Sequence, residues 1–137
     1  MSMTNSRADL QSRDFRVSVI IPAHNATSTL PPCLEALTRL TSPAYEILVV
    51  CDGCTDRTAE IARLPGVRVI EYPARRGAAY ARNVGAAAAQ GDVFLFLDAD
   101  CVAHCAVASL ALEAIFGGEQ VLFGSYTRET RAAGFLT

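Results

Sequence analysis

The sequence predicts an α/β fold in which a mostly parallel sheet is flanked by helices. Short runs of β-branched and apolar residues alternate with helical stretches of about ten residues, which is the pattern of βαβ units. The longest apolar runs, at residues 17–22, 47–51 and 93–97, are too short to cross a bilayer and suit buried strands. With 137 residues, the chain can form one domain with a substantial hydrophobic core.

The first half of the chain contains two predicted strands and two predicted helices. Residues 17–21 are β-branched and close at Pro22, which predicts the first strand. The next helix carries two prolines that fit only its first turn, followed by leucines at helical spacing. Residues 46–51 form the second predicted strand. Thr55 or Asp56 can cap the helix that follows, and a Pro-Gly pair ends it.

The second half continues the alternation. Residues 67–72 are predicted to form a strand, and the alanine-rich residues 78–90 a helix that stops at a glycine. Residues 93–97 form the fourth predicted strand. Residues 107–116 then show helical periodicity, and residues 121–126 are apolar enough for a further strand.

Charge and composition exclude several classes of function. The formal net charge is −2, which does not favour nucleic acid or an anionic membrane surface as partner. All twelve basic residues are arginines, which excludes a Schiff-base lysine and a Walker A loop. The first sixteen residues are polar and contain no apolar core of a signal peptide, so we expect a flexible tail over 1–16 and the domain over 17–137.

The cysteine count predicts reduced thiols. Five cysteines, without a signal peptide, favour a cytoplasmic protein without structural disulfides. An alternative is a cysteine-based metal or redox protein with a four-thiolate site. Its ligands would be Cys51, Cys54, Cys101 and Cys105.

Four polar loops follow the carboxyl ends of predicted strands and should gather at one edge of the sheet, where open α/β sheets bind ligands. They cover residues 22–25, 51–56, 75–83 and 98–100. In the last loop an apolar strand ends at Asp98 and Asp100, two hard oxygen ligands that suit Mg²⁺ or Mn²⁺ and hence a diphosphate. The alternative is that these two acids cap the next helix.

Four segments together resemble the inverting family 2 glycosyltransferases with a GT-A, Rossmann-like fold. They are VSVIIPAHN at 17–25, EILVVCDGCTD at 46–56, a Gly-x-x-x-Ala-Arg-Asn-x-Gly pattern at 77–85, and FLDAD at 96–100. The order and the intervals of the four segments carry the resemblance, which runs from about residue 17 to about residue 126. It implies transfer of a sugar, with inversion, from a UDP- or GDP-sugar to an acceptor hydroxyl.

The resemblance also implies roles for individual residues. The loop after the first strand would line the base and ribose, and Asp52 would accept a hydrogen bond from the base. The third loop and the helix after it would face the nucleotide sugar. Asp98, with Ala99, would face the ribose and sugar, and the metal would be held by Asp98 and Asp100. The full predicted nucleotide-sugar set is Pro22, Ala23, His24, Asn25, Asp52, Arg76, Gly77, Arg82, Asp98 and Ala99.

Several of these residues keep a simpler interpretation. His24 is either a stacking or hydrogen-bonding group or a plain loop histidine. The arginines Arg75, Arg76 and Arg82 either form a solvated helix face or provide at least one phosphate contact. Cys51 and Cys54 replace an aspartate and a serine that are common in the family.

The family's general base lies well beyond the Asp-x-Asp strand. We therefore expect the catalytic base beyond Thr137 and the acceptor half of the fold to be missing. The alternative function is a non-catalytic or degenerate nucleotide-sugar-binding domain. A sheet without its later strands would have an uncovered edge, which predicts self-association. From relatives, we expect the full protein in the cytoplasm, at the cytoplasmic face of the membrane.

Overall fold

The computed structural model describes residues 15–124, which form four strands and four helices in strict alternation. The predicted α/β class is confirmed. In chain order the elements are β1 (Val17–Ala23), α1 (Leu30–Leu37), β2 (Glu46–Asp52), α2 (Thr58–Ala62), β3 (Val67–Tyr72), α3 (Ala78–Ala88), β4 (Val93–Phe96) and α4 (Val107–Phe116).

The sheet has the order β3-β2-β1-β4, and all its described pairings are parallel. β1 is central and fully buried, pairing with β2 on one side and with β4 on the other. Because the strands run in the same direction, the loops after them meet at one edge of the sheet. This places the four predicted motif loops side by side.

The two faces of the sheet are covered by different helices. On one face, Val19, Ile21 and Val49 pack with the buried side chains of α1 and with Ala108 of α4. On the other face α3 lies so close to the sheet that a Cβ on Gly85 would overlap the Ile20 side chain. The glycine is therefore needed for the close approach of α3 to β1.

Local differences from the sequence predictions have physical causes. α1 begins at Leu30 with prolines in its first turn, as predicted, and its N-cap residue Thr29 makes no side-chain hydrogen bond to the helix. α2 is only five residues long, because the Arg63 backbone leaves the helical region. The prediction of a strand over 121–126 is wrong for residues 121–124, which form no strand, and residues 125–126 lie outside the described range.

The first described residues contact the loop before β4, and the edge strand β4 exposes two aromatic side chains. Residues 1–14 of the predicted tail lie outside the described range. Arg16, the last residue of that predicted tail, donates its backbone N–H to the Asp92 carboxylate at 2.9 Å. Phe94 and Phe96 on the edge strand β4 are 42% and 45% exposed. Across residues 15–124, none of the helices combines the length and the apolar character needed to cross a membrane.

Candidate nucleotide and metal site

The first loop, after β1, is locked to the second loop, after β2, by side chains that contact backbone. Asn25 has a φ of 46°, and its Oδ1 accepts the Thr55 backbone N–H at 2.8 Å. The Ala26 N–H donates to the buried Thr58 hydroxyl at 2.8 Å. An asparagine tolerates the left-handed region better than most residues, which explains its place in this turn. The two loops therefore form one unit.

The remaining residues of the predicted base-binding loop differ in accessibility. Pro22 and Ala23 belong to β1 and are buried, so these two residues do not present their side chains to solvent. His24 is half-buried, and its Nδ1 lies 2.7 Å from the carbonyl oxygen of Asp52. With Nδ1 protonated, this contact is a hydrogen bond that fixes the ring and directs Nε2 away from Asp52.

Asp52 fastens the third loop, after β3, to the end of β2. Its Oδ1 accepts the Arg76 backbone N–H at 2.7 Å and its Oδ2 accepts that of Gly77 at 2.9 Å. Burial alone would raise the pKa of this carboxyl, but the two N–H donors, together with the Tyr72 hydroxyl and the Arg75 charge, outweigh it and hold the pKa below its ordinary value. Asp52 is thus a fixed anion with one further lone pair on each oxygen.

The backbone geometry supports this connection between loops. Gly53 has a φ of 59°, in the left-handed region, and a Cβ there would overlap the backbone of Arg75. Gly77, with a φ of 97°, is the N-cap residue of α3. Both glycines permit turns that side chains would oppose, so the second and third loops can lie against each other.

Two tyrosines and an arginine lie beside Asp52. The Arg76 guanidinium lies 5.1 Å from the Tyr80 ring centroid, and the rings of Tyr80 and Tyr72 meet edge to face at 5.5 Å. Burial, and then the neighbouring Asp52 carboxylate, raises the pKa of Tyr72 to about 12. The Tyr72 hydroxyl is buried and makes no hydrogen bond of good geometry within residues 15–124. A cavity of about 310 Å³ borders Tyr72 and Pro73.

The predicted metal ligands lie at the fourth loop, after β4. Arg82 on α3 donates to Asp98 Oδ1 at 2.9 Å, which joins α3 to this loop. Asp98 is half exposed and Asp100 is exposed. Neither acid caps α4, whose N-cap residue is Ala106 without a side-chain bond, so that alternative is wrong. Ala99 between them is buried, so its side chain is not presented to a ligand.

The donor set of the fourth loop fits a divalent cation. Asp98, Asp100 and Cys101 each offer one ligand atom, and these atoms lie within 4.8 Å of one another. Carboxylate oxygens suit Mg²⁺ or Mn²⁺, whereas a thiol suits softer ions. Among residues 15–124 this is the one group of three or more such side chains. The predicted four-thiolate alternative is therefore not supported.

Four of the five thiols lie in two neighbourhoods, Cys33 with Cys101 and Cys51 with Cys54. Burial, followed by the charges of Cys101, Asp100 and Asp98, raises the pKa of Cys33 to about 12. Burial, followed by the Cys54 thiol, raises the pKa of Cys51 to about 12. Both groups are therefore protonated at neutral pH.

Sequence reasoning missed three residues that shape the site. Thr55 and Thr58 connect the first two loops, and Cys101 lies against the Asp-x-Asp pair. Thr55 lies in the DGCTD segment and Thr58 two residues after it, so the available signal was a pair of threonines in a turn, whose hydroxyls commonly bond neighbouring polar groups. The sequence predicts Cys101 only as part of a four-thiolate site, because adjacency to Asp100 in the chain does not by itself indicate a shared set of ligands.

Comparison with known proteins decides the family. The family model described as glycosyl transferase family 2 matches residues 18–132, which is more than half of the chain. The chain belongs to glycosyl transferase family 2. The resemblance noted from the four segments is thereby confirmed.

Individual relatives agree with this membership. Glycosyltransferase AglE of Haloferax volcanii is 39% identical over 95 residues, which cover 64% of this chain and 31% of that protein. S. aureus TarS 1–349 in complex with UDP superposes with a TM-score of 0.67 and 27% identity, covering 73% of this chain and 32% of that one.

Another solved structure similar to this chain is a complex with a metal ion. Glucosyl-3-phosphoglycerate synthase from Mycobacterium tuberculosis, in complex with Mn²⁺, UDP and glucosyl-3-phosphoglycerate, gives a TM-score of 0.56 at 25% identity, covering 72% of this chain and 39% of that one. The chain spans about a third of the length of the curated relatives it matches.

Proposed function

We propose that this chain is the donor-binding part of a glycosyltransferase that moves a sugar from a UDP- or GDP-sugar to an acceptor hydroxyl. The observation that carries the proposal is the joining of the four motif loops at one sheet edge: Asn25 contacts Thr55, Asp52 contacts the third loop, and Arg82 contacts Asp98. Family membership supports the same reaction class. Relatives solved with UDP support the donor class.

The first three loops would bind the nucleotide. His24 and Asn25 would line the base and ribose with their side chains, whereas the buried Pro22 and Ala23 would contribute only through their backbone. Asp52 has lone pairs left for a base N–H. The base ring would lie near the buried Tyr72 hydroxyl, which lies beside the Asp52 carboxylate.

The third and fourth loops would bind the diphosphate and the sugar. Arg76 and Arg82 would supply positive charge, while the backbone around Gly77 allows close approach of a phosphate. Asp98 would face the ribose and sugar, the buried Ala99 would contribute only through its backbone, and Asp98 and Asp100 would hold Mg²⁺ or Mn²⁺. Such an ion supplies charge neutralisation of the departing diphosphate.

Other features of the reaction stay predictions of the resemblance. These are inversion, a general base beyond Thr137, and a location at the cytoplasmic face of the membrane. Self-association also stays a prediction, and the two exposed phenylalanines on the edge strand β4 support it.

The test is calorimetric titration of UDP and GDP into the protein, with and without Mn²⁺. We expect Mn²⁺-dependent binding of one nucleotide, and loss of that binding in Asp100→Asn. Glu113→Gln is the matched control, because it removes an exposed carboxylate from α4, away from the motif loops. A folded protein that binds neither nucleotide would contradict the proposal and favour a degenerate domain.

A further inference from the structure

Cys101 places a sulfur atom beside the Asp-x-Asp pair. Its Sγ lies 3.6 Å from Asp100 Oδ1. The ligand atoms of Asp98, Asp100 and Cys101 all lie within 4.8 Å of one another. Cys101 is only 5% exposed, whereas Asp100 is exposed and Asp98 is half exposed. The group therefore combines two hard oxygen donors at the surface with one soft donor behind them.

We propose that Cys101 is a third ligand of the divalent ion, and that it makes the site prefer thiophilic ions such as Zn²⁺, Co²⁺ or Cd²⁺ over Mg²⁺. The inference rests on the proposed function, since it concerns the same ion. Thiolate ligands select softer ions, while carboxylates alone suit Mg²⁺ and Mn²⁺. When the metal–sulfur bond forms, the thiol proton passes to solvent.

The spacing of the donor atoms supports this preference. With metal–oxygen and metal–sulfur bonds of about 2.1 and 2.3 Å, the 3.6 Å separation subtends an angle of about 110° at the ion, which is tetrahedral. The right angle that an octahedral ion needs would bring the same two atoms to about 3.1 Å. The Cys101 thiol donates a hydrogen bond to Asp100 across this distance, and replacing the shared proton by an ion that accepts tetrahedral coordination would need little change in the separation.

The surroundings leave the ion a free carboxylate oxygen and provide a matched control. Arg82 donates to Oδ1 of Asp98, so Oδ2 can face the ion. Cys33 is a second buried thiol nearby, but its Sγ donates to the Asp98 carbonyl oxygen at 3.7 Å and belongs to α1. A variant at Cys33 thus perturbs the same neighbourhood without removing the proposed ligand.

The experiment loads the EDTA-treated full chain with Co²⁺ in the presence of a phosphine reductant and records the near-ultraviolet spectrum. We expect a thiolate-to-cobalt charge-transfer band that is lost in Cys101→Ser and kept in Cys33→Ser. We also expect Cys101→Ser to weaken Cd²⁺ binding by at least about tenfold while leaving the Kd of Mg²⁺ within about threefold. Circular dichroism of each variant checks that it is folded.

Each other outcome overturns the inference. Absence of the band from the wild-type protein, its survival in Cys101→Ser, or an equal loss of Cd²⁺ and Mg²⁺ affinity would do so. Cadmium NMR of the wild-type protein detects sulfur ligation without any variant, which keeps the test valid if Cys101→Ser does not fold. If UDP binding needs Mn²⁺ and Asp100 but no sulfur ligation is seen, the inference fails and the proposed function stands. If neither metal nor nucleotide binds, both fail.

Discussion

Replacing Asp52 with asparagine should detach the third loop from the sheet edge. The wild-type carboxylate is 3% exposed and accepts the backbone N–H groups of Arg76 and Gly77 at 2.7 and 2.9 Å. Asparagine keeps one acceptor oxygen but turns an NH₂ group toward the other N–H. One charge-assisted bond is lost and one buried donor is left unpaired. Because a hydrogen bond to a charged group contributes about 1.5–3 kcal/mol, we expect a loss of about 2–3 kcal/mol.

Thermal and urea denaturation measure this loss. In a domain of this size 1 kcal/mol corresponds to roughly 4 °C in Tm, so Asp52→Asn should lower the Tm by roughly 10 °C. Glu60→Gln is the control, because it breaks only an exposed ion pair with Arg57, and exposed ion pairs contribute little to stability. Equal, small effects of the two variants would refute the assignment of Asp52 as the anchor of the third loop.

The pH dependence gives an independent check with a defined sign. The pKa of Asp52 is lower in the folded than in the unfolded state, where it is about 3.9. Its contribution to stability is therefore complete above that value and is lost as the pH falls through the folded pKa. The stability difference between wild type and Asp52→Asn should accordingly be constant near neutrality and shrink below about pH 4. A difference that stays constant down to pH 2 would contradict this role.

Three further predictions follow from other contacts. Gly85→Ala should destabilise the protein by about 1–3 kcal/mol, because the added Cβ would overlap β1. Gly124→Ala is the control and should change the Tm little, because Gly124 lies in open space. Equal melting curves for the two variants would refute the close packing of α3 on β1. Arg82→Ala should alter stability by less than about 1 kcal/mol, because the ion pair of Arg82 with Asp98 is partly exposed. The same variant should weaken Mn²⁺-dependent UDP binding, measured by calorimetry, at least about tenfold. Unchanged binding would show that Arg82 does not belong to the site. Cys105, the exposed thiol, should react first with a disulfide reagent at pH 8. Mass spectrometry that places the first adduct on another cysteine would contradict this prediction.

The order of the elements could be predicted from the sequence because the local signals agree with the fold. β3 and α4 have the predicted bounds, since their periodicities are bounded by turn residues. The prediction failed at residues 121–124, because an apolar composition does not form a strand without a partner strand.

The location of the site could be predicted from the sequence, whereas the side-chain contacts that join its loops could not. Asp98 and Asp100 lie at the predicted edge because the end of a parallel strand determines their place. The contact of Asp52 with the backbone of the third loop was not predictable, because it joins residues more than twenty positions apart through a turn whose path depends on Gly53 and Gly77. For the same reason, the clamp from Asn25 to Thr55 could be recognised only in three dimensions.

The central place of β1 in the sheet has a consequence for synthesis of the chain. Ile20 of β1 pairs with Phe96 of β4, so one side of the most buried strand has no partner until 76 more residues have been made. At about 5–20 residues per second the ribosome needs roughly 4–15 s for that stretch. During this interval β1 can pair only with β2, and its other edge is open to other nascent chains. A chaperone that shields this edge should therefore raise the yield of folded protein, and slower translation should lower it.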